Sequence, residues 1–173
     1  MRLTPAHGPS SFPVSHTGWL LMLMVRRSLR VLILLALPLA GLEAQQAPAA
    51  KPVLTVYKTA TCGCCKLWMD HMEASGFVVR GVDVTDLPAM KNMSGVPGPL
   101  RTCHTALVGG YVVEGHVPAD LVRKLLAEKP KVAGIAVPGM PIGSPGMEQG
   151  DQKDAYEVLL FDKTGKTSVY ARR

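Results

Sequence analysis

"VLTVYKTATCGCCKLWMDHMEASGFVVRGVDV", residues 53–84, decides the fold. "VLTVYK" (53–58) is rich in β-branched residues and predicts a strand. Thr59 and Thr61 are placed to cap a helix from about Cys64 to Ser75, and Gly76 supplies its stop. Along that helix Leu67, Trp68, His71, Met72 and Ser75 follow a 3.6-residue period. "FVVRGVDV" (77–84) predicts a second strand. Strand, helix and strand make a βαβ unit, whose two strands should run parallel.

Outward from this unit the pattern continues. "TDLPAMKNMSG" (85–95) predicts a short helix after Asp86, and "VPGPLRT" (96–102) a Pro/Gly loop. "TALVGGYVVEGHV" (105–117) reads as two short strands around Gly109-Gly110. "PADLVRKLLAEKP" (118–130) has proline at a helix start, Leu121 and Leu125 on one face, and a proline stop. The order β-α-β-α-β-β-α is that of an α/β, thioredoxin-like fold. Beyond it, "GIAVPGMPIGSPGMEQG" (134–150) carries five glycines, three prolines and two methionines. Without a regular period, it is expected to be a long Gly/Pro/Met loop. "AYEVLLFDKTGKTSVYA" (155–171) predicts a C-terminal β-hairpin extension with its turn at 162–165.

The domain so defined spans 53–173, behind a short Ala/Pro/Gln linker at 45–52. Residues 1–44 read as a secretory signal peptide. "RRSLR" (26–30) is a positive n-region, and "VLILLALPLAG" (31–41) is an apolar h-region too short to span a bilayer. "LEA" (42–44) ends in a small residue suited to cleavage. Residues before Met22 or Met24 read as an over-called start. A membrane anchor over 18–42 is the alternative, but the charges at 26–30 interrupt that run. The expectation is therefore a periplasmic protein with no stable span in the mature chain.

The net charge is +6, but four basic residues and one acid precede residue 45. The remaining 15 basic and 12 acidic residues form no basic run or basic–aromatic stripe. Nucleic acid is therefore not an expected partner.

Three of the four cysteines crowd into four positions: Cys62, Cys64 and Cys65. An oxidising compartment permits structural bridges, but cysteines this close cannot staple distant parts of a fold. A C-x-x-C at a helix start has a different use. The unpaired amides and partial positive charge there stabilise a thiolate. On this reading Cys62 is the nucleophile and Cys65 its resolving partner.

Dithiol exchange leaves Cys64 without a role. Cys103 and His104 precede "TALV", a position that in a thioredoxin-like fold faces the start of the first helix. Cys103 can thus close a four-thiol group, in a place where that fold usually carries a proline. Met140 and Met147 add thioethers from the Gly/Pro loop. This softness selects Cu(I), since methionine is a poor ligand for zinc and does not suit calcium or magnesium. Zinc favours paired C-x-x-C or Cys/His spacings, and the C-x-C-C spacing fits no familiar ferredoxin pattern. Thiolates this close can bridge metals, which leaves a multinuclear Cu(I) site open, though spacing alone does not fix the metal count. His104 is balanced between ligand and loop hydrogen-bonder; His116 and His71 read more readily as structural or surface residues. Trp68 is expected to shield the site. Met69, Met72, Met90 and Met93 are expected to pack.

The chain resembles the CopG-type periplasmic copper-resistance proteins, a thioredoxin-like group long catalogued as a domain of unknown function. The resemblance covers nearly all of 53–171. It rests on "YKTATCGCCKLW", "GVP", "CHTALVGGYVVEGHVPA", "AVPGMPIGSPGME" and "YEVLLFD". It implies that Cys62, Cys64, Cys65 and Cys103 bind copper with help from Met140 and Met147. His104 and His116 fall in matched blocks and are further candidate ligands. It also implies a redox role in interconverting Cu(I) and Cu(II), and other periplasmic copper-handling proteins as partners.

Two functions follow. The first is an exported copper-binding protein of copper resistance, in which metal binding is more secure than catalysis as a copper oxidoreductase. The alternative is an envelope thiol–disulfide oxidoreductase using Cys62 and Cys65. An arsenate-reductase-like enzyme would share the fold, but no anion-binding arginine cluster surrounds Cys62.

Overall fold

The computed structural model describes residues 50–173; the expected signal peptide and most of the linker lie outside them. Among the described residues no helix is long and apolar enough to cross a membrane. The elements run β1 (Val53–Lys58), α1 (Gly63–Ala74), β2 (Val78–Asp83), α2 (Leu87–Met93), a 3-10 turn (Gly98–Leu100), β3 (His104–Val108) and β4 (Tyr111–Glu114). They continue with α3 (Ala119–Glu128), β5 (Gly134–Ala136), β6 (Glu157–Phe161) and β7 (Thr167–Arg172). The fold is α/β, and this order is compatible with a thioredoxin-like core.

One seven-stranded sheet carries all the strands in the order β2-β1-β3-β4-β5-β6-β7. β1 and β2 are parallel, as the βαβ reading requires. β3 pairs antiparallel with both β1 and β4. The C-terminal hairpin is not a separate appendage. β5 lies parallel to β4 and antiparallel to β6, so it joins the hairpin to the same sheet. Residues 134–136 were expected to belong to the long loop. Their three-residue strand is too short to show a period, and pairing on both sides rather than pattern makes it a strand.

Apolar side chains are buried in two clusters. Leu54, Val56, Ala106, Val108 and Val113 join Trp68 and Met72 of α1 and Leu121, Val122 and Leu125 of α3. Val112, Ala136 and Phe161 join Val96 and Leu100 beside the 3-10 turn. Because strand side chains alternate, consecutive residues enter opposite clusters, as Val112 and Val113 do.

The buried stripe of α1 is Cys65, Trp68 and Met72, spaced i, i+3, i+7. Leu67 was expected on that face but lies one helical step off it and is 56% exposed. Met93, expected to pack, is 84% exposed, and Met90 is half-buried. Asp86 caps α2 by accepting the Ala89 amide at 2.9 Å.

Candidate metal centre

The site forms where β1 turns into α1. Cys62, not Thr59 or Thr61, is the N-cap residue of α1, and no side chain caps that end. The free amides of the first turn leave a partial positive charge beside the thiols. Cys62 and Cys65 form a disulfide with Cα atoms 5.3 Å apart, while Cys64 and Cys103 are free.

Cys103 arrives from the other side, at the entry to β3. Its Sγ is 3.9 Å from that of Cys64, which is 3.7 Å from that of Cys62. The Cys65 sulfur lies 3.6 Å from the Cys103 carbonyl oxygen. All four sulfurs lie within 4.8 Å of one another. Two thiolates on one metal at about 2.3 Å, a typical zinc–thiolate distance, lie at most about 4.6 Å apart. The spacing therefore suits a shared or bridged metal once the disulfide is reduced.

Two histidines extend this group. Cys103 Sγ lies 3.2 Å from His104 Nδ1 and 3.1 Å from His116 Nε2. Both imidazoles are fully buried. His116 Nδ1 donates to the Pro145 carbonyl at 2.8 Å. That bond fixes the tautomer and turns the Nε2 lone pair toward the sulfurs, the usual arrangement behind a metal-bound imidazole. His104 packs against Trp68 with ring centroids 4.4 Å apart. Among the described residues, His104 Nε2 is a buried polar atom without a hydrogen-bond partner. Such an atom is costly unless something at the site engages the ring.

Burial favours the uncharged forms of His104, His116 and Cys103. It holds His104 well below the usual imidazole range, helped by the neighbouring His116 and Lys91. It lowers His116 as well, against the opposing bond to Pro145. Burial and the neighbouring Cys64 push the Cys103 thiol up to about 12. Neutral imidazoles are ready ligands. The thiol would release its proton when a metal takes its place.

The Gly/Pro/Met loop closes over the start of α1. Gly146 adopts φ +82°, and a Cβ there would sit 2.7 Å from the Trp68 amide nitrogen and 3.0 Å from the Cys64 oxygen. Only glycine allows this approach. The loop is tied down by its carbonyl bond to His116 and by the Gly146 amide donating to Glu148 at 2.8 Å. Met140 is 39% exposed and Met147 half-buried. The backbone contact thus brings the loop that carries Met140 and Met147 to Cys64. Trp68 is fully buried and donates its indole N–H to the Val117 carbonyl at 2.9 Å. His71 stands apart as the acceptor of the Ala119 amide at 3.3 Å.

Comparison with known proteins decides the family. Residues 100–147 match a family described as "Protein of unknown function, DUF411". Two solved structures, described as copper resistance protein copG, Form 1 and Form 2, are 47% and 46% identical to the chain. Each aligns over 71% of this chain and 98% of its own, with a TM-score of 0.68. The chain belongs to the CopG family. No curated protein matches it.

In this family member, sequence reasoning missed one part of the site. Lys91 of α2 and Glu114 of β4 form a buried ion pair at 2.5 Å beside the Cys103 loop. Each reads alone as an ordinary surface charge. The available signal was Glu114 at the end of the apolar run "YVV", across the hairpin from Thr105.

Proposed function

We propose that this chain is an exported, periplasmic copper-binding protein of copper resistance. Its reduced site holds Cu(I), with Cys62, Cys64, Cys65 and Cys103 as sulfur ligands and His116 and His104 as imidazole donors. Met140 and Met147 assist from the covering loop. One observation carries the reading. Four sulfurs lie within 4.8 Å of one another beside two buried imidazoles. The relatives' description as copper resistance proteins supports copper as the metal. Ligand softness favours Cu(I) over zinc, and the sulfur spacing suits a multinuclear site with bridging thiolates.

Mixed sulfur and imidazole donors also suit both copper oxidation states, so the same site can support Cu(I)/Cu(II) interconversion. The copper is cargo or substrate here, and other periplasmic copper-handling proteins are its partners in this reading.

The Cys62–Cys65 disulfide favours a second reading, an envelope thiol–disulfide oxidoreductase. Titrating reduced protein with Cu(I) against a chromogenic chelator separates the two. Copper binding predicts several Cu(I) per chain and a clear loss in Cys64→Ser. Unchanged binding in Cys64→Ser, with a mixed disulfide to a protein substrate trapped in Cys65→Ser, favours the second reading.

A further inference from the structure

The Lys91–Glu114 pair lies outside the ligand set yet touches the backbone that carries Cys103. Glu114 is fully buried, and every contact of its carboxylate serves one small region. Oε1 accepts from Lys91 Nζ at 2.5 Å and from the Thr102 backbone amide at 2.7 Å. The Thr102 hydroxyl approaches the same oxygen at 3.4 Å, and Oε2 accepts the Thr105 hydroxyl at 2.7 Å. Lys91 completes the ring by donating to Thr105 Oγ1 at 3.0 Å.

Thr102 and Thr105 bracket Cys103-His104. One carboxylate therefore holds the chain on both sides of the thiol. The backbone reinforces it, since the Gly115 amide donates to the His104 carbonyl at 3.2 Å. Gly115 adopts φ +72°, and a Cβ there would meet Thr102 Oγ1 at 2.5 Å. The next residue is His116, which faces the same sulfur. His104 and Thr105 point to opposite faces of the sheet. His104 is packed on Trp68 of α1, and Thr105 is bonded to Lys91 of α2.

A buried ion pair is weak evidence for stability, because desolvating two charges offsets most of their attraction. Its retention here calls for another role, and its bonds converge on the Cys103 loop. We infer that Glu114, itself held by Lys91, is a positioning residue for the metal site: its carboxylate anchors the Thr102 amide and so fixes the Cys103 sulfur against the thiols of α1. The inference rests on the reading of Cys103 as a copper ligand.

Two double variants test it. Glu114→Leu with Lys91→Met removes both charges and the acceptor at similar volume, a replacement that folded proteins often tolerate. Glu114→Gln with Lys91→Met removes both charges but keeps an oxygen for the Thr102 amide. Cu(I) affinity of the reduced proteins is measured by chelator competition, with urea unfolding to verify folding. The first variant is expected to bind Cu(I) at least about ten-fold more weakly, and the second within about two-fold of the parent. Parent-like affinity in the Leu/Met variant, or an equal loss in both, overturns the inference. Should the Leu/Met variant not fold, Thr102→Pro deletes the amide hydrogen together with the hydroxyl, and Thr102→Ala, which loses the hydroxyl but keeps the amide, is its control. Arg101 already has the extended backbone that a following proline needs, at φ −67° and ψ 134°. The same ten-fold loss is expected there, and parent-like affinity overturns the inference. Cys103→Ser distinguishes the two levels. If it binds Cu(I) like the parent, the reading of Cys103 as a copper ligand fails. If it weakens binding while the Leu/Met variant does not, only the positioning role fails.

Discussion

The two walls of the site are built differently. The near wall, "CGCC" at the start of α1, is local: three cysteines within four residues, with two already joined as a disulfide. The far wall at Cys103 is assembled from distant chain. Lys91, Glu114, His116 and Pro145 meet there across 54 residues of sequence, and all their linking bonds are buried or partly so. The near wall can change its redox state without unravelling anything, since its crosslink spans only three positions. The far wall is a preorganised surface against which that change takes place.

The contrast should be visible in stability. Glu114→Ala strands Lys91 as a buried, unpaired charge, so it should lower unfolding stability by about 3–5 kcal/mol. Urea denaturation of the metal-free protein checks this; a loss under about 1 kcal/mol would remove the preorganised far wall from the account. Reducing the Cys62–Cys65 disulfide should cost less. Chain entropy for so short a loop gives about 2 kcal/mol at most, read as a shift between oxidised and reduced unfolding curves. A larger effect in the near wall than in the far wall would reverse the comparison.

Acid should act on the far wall through its imidazoles. His104 is neutral in the folded protein, with its proton affinity depressed first by burial and then by His116 and Lys91. The unfolded chain takes up a proton near its ordinary value of about 6.5. No dependence from this residue is expected above that value, and stability should fall as pH drops below it, toward the lower folded value. The slope contributed is at most about 1.4 kcal/mol per pH unit. Denaturation at pH 7.5 and pH 5.5 measures the fall, which should shrink in His104→Gln. The smallest effect is expected at the exposed Lys66–Asp70 pair on the near-wall helix. Lys66→Ala should leave both copper count and unfolding transition unchanged, since exposed pairs contribute little.

The same division governs what the sequence discloses. β1, α1 and β2 announce themselves through β-branched runs, a helical stripe and a glycine stop, all local signals. So does the crowding of Cys62, Cys64 and Cys65. The stripe was misplaced at Leu67 because Leu67 and Trp68 are adjacent and both apolar; the packing of Trp68 against His104 decides which turns inward. β5 was missed because three residues carry no period. The Lys91–Glu114 pair was missed because its partners are 23 residues apart and neither has a motif around it. His116 was read mainly as structural because its tautomer depends on the carbonyl of Pro145, 29 residues on. Burial of these groups is a property of the fold, and no window of sequence contains it.

X-ray absorption at the copper edge, on reduced protein loaded with Cu(I), tests the joint role of the walls most directly. The account predicts a sulfur-dominated shell with a copper–copper vector in the parent. In Cys103→Ser it predicts fewer sulfur neighbours and loss of that vector. An identical spectrum from Cys103→Ser would contradict it, because copper would then be held by the near wall alone.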